Sequence, residues 1–323
     1  MVTEQVAMLH IHSGDCAARI ASGIFGGTHL VWSDNLFEGA LPRADWGDPE
    51  WIAARAEALA DYLGGRERAA DLLRKRHARL REALAACSEV TLWFDSCLYD
   101  MMLLFSFLAF AGDGLFPRIP VWLVCGEVRR DGTRFAGYGE LDEAEMRAQY
   151  AGRRRVTEAM RHDALECWDA FTSPSPEDWR AMAEKEHELT PFLAPAAARF
   201  CEQLPDARGL NRLEAEILTV LDDGCTELVP LFRAVCAMEE RPFFGDAAVW
   251  QTLNRMAAAR VPLAELRGPA ERIPVKVFPP SDVPFRADEW RVSLTQAGKD
   301  ALAGRGPAWE CERQVGNVAV GQR

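Results

Sequence analysis

The sequence predicts an α/β protein: a doubly wound, mostly parallel, Rossmann-like sheet, then a helical segment, then a winged-helix-like C-terminal domain. Three observations lead there. Short apolar runs alternate with helix-prone stretches through the first 140 residues, the pattern of a parallel sheet covered on both faces. From about Asp142 to Leu204 the periodicity is helical throughout. Beyond Arg208-Gly209-Leu210, three helical stretches precede a strand, a Leu-Thr-x-x-Gly turn into a helix, and a closing apolar tail. A chain of 323 residues exceeds what one core ordinarily organises, and the boundaries fall at 1–140, 141–208 and 209–323.

The first apolar run, 7–12, stops at the turn signal Ser13-Gly14-Asp15, after which Cys16 to Ala21 is helix-prone. A second run, His29 to Trp32, ends at Ser33-Asp34 about twenty residues on, the spacing of a βαβ unit. After the loop Asn35 to Trp46, Asp48-Pro49-Glu50 opens a helix with an acidic cap and proline at the first helical position. A charged helix follows over 66–86. Val90 to Phe94 is the third strand and leads through Asp95-Ser96 into an apolar helix from about Leu98 to Phe110; Ile119 to Cys125 is the fourth. All four are expected to be neighbours in one parallel layer.

Within the helical segment, Pro176 is placed to start a helix. Gly152-Arg153-Arg154-Arg155, the most basic run, reads as a solvated helix start, with an anion or partner contact as the alternative. The C-terminal helices fall near 211–222, 226–237 and 246–259, and a Pro-rich stretch, 262–284, is expected to be irregular. Trp290 to Thr295 then reads as strand, 296–302 as helix and 315–320 as an apolar tail.

Composition narrows the function classes. Net charge is −12, and 209–323 carries 14 basic against 16 acidic residues. That balance disfavours nucleic acid, whose non-specific binding rests on clustered Lys and Arg. Nine cysteines without a C-x-x-C pair fit reduced thiols rather than a zinc knuckle or redox motif. Met1-Val2-Thr3-Glu4-Gln5 lacks a basic leader, and the longest apolar run, Met101 to Ala111, is too short for a bilayer. The expectation is a soluble, cytoplasmic protein with no membrane partner.

Ligands of open parallel sheets bind outside the carboxyl ends of the strands. Asp15, Asp34 and Asp100 are the candidate catalytic anchors there, with His10, Ser13, Gly14, Trp32, Glu38, Trp93 and Asp95 as candidate ligand contacts. Carboxylates gathered in one cleft raise a pKa or attract a cation, so the three aspartates are expected around one solvent-reachable crevice that takes a small polar ligand. Asp34→Asn is then expected to alter binding at little cost in stability. Each residue also has a structural reading: Asp15 or Asp95 as a helix cap, Asp34 and Glu38 as loop hydrogen-bonders, Asp100 as a first-turn carboxylate favoured by the helix dipole. His10-x-His12 places two imidazoles on one strand face, as a metal pair or, more simply, as core and surface residues. Cys16 reads as a small buried residue rather than a reactive thiol. Neither G-x-G-x-x-G nor a P-loop occurs, and no cofactor or metal is assigned.

Leu9-His10-Ile11-x-x-Gly14-Asp15, Trp32-x-Asp34-x-Leu36-x-Glu38-Gly39 and Leu92-Trp93-Phe94-x-x-x-Leu98-Tyr99-Asp100 follow one another in order. Gly137-x-Gly139-Glu140-Leu141 and Trp168-x-Ala170-Phe171 come after them. In this the chain resembles the bacterial domain-of-unknown-function family numbered 1835 over roughly residues 8–170. Gly209-Leu210-Asn211-Arg212-Leu213-Glu214 and Phe244-Gly245-Asp246 are similar to the region that follows this domain in longer members. Two departures stand out. The family commonly reads Trp-Phe-Glu-His-Asp where this chain has Trp93-Phe94-Asp95-Ser96-Cys97, and Gly-Pro where it has Gly39-Ala40. The resemblance implies a fold more than an activity. The functional expectation is a small-molecule enzyme or ligand-binding protein working at the sheet edge; the rival is a regulatory or adaptor protein whose winged helix contacts protein or, less readily, DNA.

Overall fold

Four short apolar runs form the parallel part of a five-stranded sheet in the computed structural model, which describes residues 7–115, 119–241, 245–275 and 285–320. Met1 to Gln5, Phe244 and residues 276–284 of the Pro-rich stretch lie outside the described residues. The strands β1 (Met8–His12), β2 (Thr28–Val31), β3 (Glu89–Trp93) and β4 (Val121–Val124) stand in the order β2-β1-β3-β4 and pair in parallel, as expected. The basic run departs from expectation. Arg154–Arg155 is not a helix start but a two-residue strand, β5, antiparallel to β4 at the sheet edge.

Alternation divides the two faces of the sheet. Leu9, Ile11, Val90, Leu92, Val121 and Leu123 point into the main core, which is shared with α2 (Pro49–Ala58), α4 (Arg66–Ala86) and α5 (Leu98–Leu115). Helix α5 is buried on all sides from Met101 to Leu108. It packs against α7 (Glu158–Phe171) and α9 (Leu193–Cys201), which explains its lack of a polar stripe. On the opposite face, α1 (Asp15–Ile24) and α6 (Glu143–Ala151) cover a smaller cluster around Trp93, Val124 and Tyr138. The short α3 (Ala60–Leu63) links α2 to α4.

Local signals set many boundaries. Pro49 and Pro176 occupy first-turn positions of α2 and of α8 (Pro176–Ala183). Asp142 with Glu145, and Asn211 with Glu214, close capping boxes on α6 and α10 (Arg212–Asp222). The chain continues through α11 (Leu228–Met238), α12 (Asp246–Ala258), β6 (Ala264–Arg267), β7 (Arg291–Leu294) and α13 (Gln296–Leu302) to the hairpin β8 (Arg313–Val315) and β9 (Val318–Val320). Strand β6 lies inside the stretch expected to be irregular and pairs antiparallel with β7. The hairpin returns to the first part of the chain. Asn317 at its tip accepts from Leu41 N and donates to the carbonyls of Leu41 and Thr172. None of the helices is long and apolar enough to cross a membrane among the described residues.

Candidate functional site

The ends of β1 and β3 bring Ser13, Asp95, Cys97 and Asp100 together. Ser13 Oγ donates to Asp100 Oδ2 at 2.8 Å, and Asp95 N donates to the same oxygen at 2.6 Å. Asp95 Oδ1 accepts from Cys97 N at 3.0 Å. Cys97 Sγ in turn accepts from Asp100 N. Donor atoms of Asp95, Cys97 and Asp100 all lie within 4.8 Å of one another. Asp100 is buried, while Ser13, Asp95 and Cys97 are half-buried and reach the surface. Burial, and then the Asp95 charge, push the Asp100 carboxyl well above the usual range. Burial also raises Asp95, so the pair retains a proton where isolated carboxyls would have lost theirs. Gly137 closes over the cluster: a Cβ there would lie 3.1 Å from Asp95 Oδ2.

Asp34 goes elsewhere. It is buried and ion-paired at 2.8 Å with the fully buried Arg55, with Arg76 at 3.8 Å. Arg55 also donates to the carbonyls of Asn35, Glu38 and Ala40, so the loop after β2 is wrapped around one guanidinium. Glu38 accepts from Tyr62 OH at 2.6 Å, and burial raises its carboxyl. Trp32 is buried between Trp46 and the Arg76 guanidinium. Asp15 is exposed at the first position of α1, with Gly14 as N-cap. The three aspartates therefore do not line one solvent-reachable crevice. Parallel strands deliver their loops to a common edge, but Arg55 draws one carboxylate inward and the helix start turns another outward.

His10 and Trp93 belong to the sheet face under α1. His10 accepts from Trp93 Nε1 at 3.2 Å and donates from Nε2 to the Gly26 carbonyl. His29 donates from Nε2 to the Phe25 carbonyl, so its Nδ1 accepts from His12 Nε2 at 3.1 Å. The rings stack, His10 on His29 at 4.5 Å and His12 on Trp93 at 5.6 Å. His12 Nδ1 is buried without a hydrogen-bond partner. Burial and the neighbouring imidazoles push His10 down to about 4 and His12 to about 2, which keeps both rings neutral. Cys16 is exposed, contrary to the buried reading. It borders an open depression with Asp15, Arg19 and His29.

Two groups escaped the sequence reading. Arg55 is one, although its place four residues after the buried Trp51, on the apolar face of α2, is a signal that it too is buried. The other is Asp163, Cys167 and His187: Asp163 and Cys167 are i and i+4 on α7. His187 Nδ1 meets Asp163 Oδ1 at 2.8 Å, and its Nε2 meets the Met182 carbonyl at 2.8 Å. No family model matches the chain, and no curated protein matches it.

Proposed function

We propose that the protein binds a small cationic ligand, an amine or a hard metal ion, between the ends of β1 and β3, with Asp95 as its contact and Asp100 as the proton-holding partner. One observation carries this reading: the Ser13, Asp95 and Asp100 cluster lies where the strand order reverses, β2 running to one side of β1 and β3 to the other. In Rossmann-like open sheets that switch point is where ligands sit. A cation placed against Asp95 does what the retained proton does, and Ser13 Oγ supplies a hydroxyl through which Asp100 exchanges its proton with the site. Acid–base chemistry on the ligand follows from that pair.

The test is a thermal-shift titration of the wild type and Asp95→Asn against a panel of small amines, Mg2+ and Mn2+. At least one of these ligands is expected to raise the wild-type Tm and to leave the variant unmoved. Equal responses in both proteins would remove the reading.

The rival has its own support. The order of helices α10, α11 and α12, the pair β6-β7 and a bridge from Glu227 to Arg291 of β7 supports a winged-helix reading of this part. Protein contact suits it better than DNA contact, because α12, the reading helix by order, buries Ala248, Val249, Trp250, Thr252, Leu253, Asn254 and Met256.

A further inference from the structure

Three donors on α7 and on the segment after α8 converge on one point. His187 Nδ1 lies 2.8 Å from Asp163 Oδ1 and 3.8 Å from Cys167 Sγ, and the three donor atoms are all within 4.8 Å of one another. A nucleophilic relay would place the thiol at one ring nitrogen and the carboxylate at the other. Here both face Nδ1, while Nε2 is committed to the Met182 carbonyl. Such convergence suits a shared cation. Tetrahedral zinc, with bonds of roughly 2.0–2.3 Å, spaces its ligands about 3.3–3.7 Å apart, and the observed separations bracket that range.

The surroundings resemble the outer shell of a metal site. Nε2 on the Met182 carbonyl fixes the ring, and Leu189 N donates to Asp163 Oδ2 at 3.0 Å, fixing the carboxylate. One sulfur, one nitrogen and one oxygen favour zinc over magnesium or calcium. An open depression lined by His162, Asp163, Glu166 and Lys185 reaches the cluster from the Asp163 side. We propose that Asp163, Cys167 and His187 form a zinc site completed by water from this depression, separate from the carboxyl-edge site. Zinc displaces the Cys167 thiol proton and any proton on His187 Nδ1, both passing to solvent. Lys185, ion-paired with Glu166 and 3.8 Å from Asp163, opposes the ion.

The experiment uses the full chain, reduced and stripped with chelator, and titrated with Zn2+ and with Co2+ as a spectroscopic substitute. One ion per chain is expected, with a near-ultraviolet thiolate-to-cobalt band. Cys167→Ser should remove the band and weaken Zn2+ by at least ~100-fold. Lys185→Met at a half-exposed position should tighten Zn2+ severalfold, an effect that loss of a merely structural ion pair would not produce. The proposal is overturned by a wild type that retains no zinc, by Cys167→Ser binding as the wild type does, or by Lys185→Met leaving the affinity unchanged or lower.

Discussion

Every N–H of the Arg55 guanidinium finds an acceptor in the loop that Asp34 begins, so removing the Asp34 charge leaves a buried cation without its counter-ion. Breaking a buried pair from one side costs about 3–5 kcal/mol. Asp34→Asn should lower the urea unfolding free energy by that amount, in place of the small cost that a solvent-facing ligand contact would carry; a loss under about 1 kcal/mol would show the pair contributes little. Asp100 behaves in the opposite sense. Its carboxyl is raised on folding, so its contribution is fully present below the ordinary carboxyl pKa and is lost as pH rises through the folded value. Asn keeps an acceptor for Ser13 and Asp95 N without that loss. Asp100→Asn is therefore expected to gain stability over the wild type as pH rises from 5 to 8, read as a widening Tm difference, while losing the ligand response. A difference that stays constant across this range would mean Asp100 ionises freely. The sequence put both aspartates at strand ends but could not separate them, because the group that decides, Arg55, lies 21 residues from Asp34.

Periodic and capped elements were legible and pair-dependent ones were not. The charged helix α4 spans 66–86 as expected because Ala69, Leu73 and Leu80 repeat on one face, and α10 follows from its capping box. Strand β5 carries two exposed arginines and exists through pairing with Trp122 and Leu123 of β4, a partner no local pattern announces. Strand β6 was hidden for the same reason, as its ladder partner β7 lies beyond a Pro-rich stretch. The β8-β9 hairpin depends on Asn317, whose side chain joins Leu41 to Thr172. Asn317→Ala leaves three backbone groups to find water and should cost about 1–3 kcal/mol in urea unfolding; a change within ~0.5 kcal/mol would show that the hairpin docks by apolar contact alone. Helix α12 presents little free surface and Arg255, which is ion-paired with Glu214. Gel shifts on random duplexes should accordingly show no salt-sensitive binding at physiological ionic strength, and sub-micromolar binding would restore a DNA-contacting role.

Neutral histidines on both sides of the sheet tie the stability of the whole chain to pH. His10 and His12 lie under α1, and His77 of α4 sits edge-on to Trp32 beneath the other face. Burial lowers all three, His10 and His77 to about 4 and His12 to about 2, with Arg76 adding to the effect at His77 and His29 at the other two. The unfolded chain takes up protons near the ordinary imidazole value of about 6.5, whereas the folded chain resists until much lower pH. Stability contributed by these rings is thus complete above that value and drains as pH falls toward the folded values. Each ring contributes roughly 1.4 kcal/mol per pH unit inside its window, and three acting together amount to a large part of a domain's net stability. Urea midpoints measured from pH 7.5 down to 4.5 should fall steeply below about 6.5. In His12→Phe, which keeps an aromatic ring on Trp93 and removes the orphan Nδ1 together with the proton acceptor, the slope should be shallower by about one ring's share. A His12→Phe profile parallel to the wild type would place the acid sensitivity in groups other than His12.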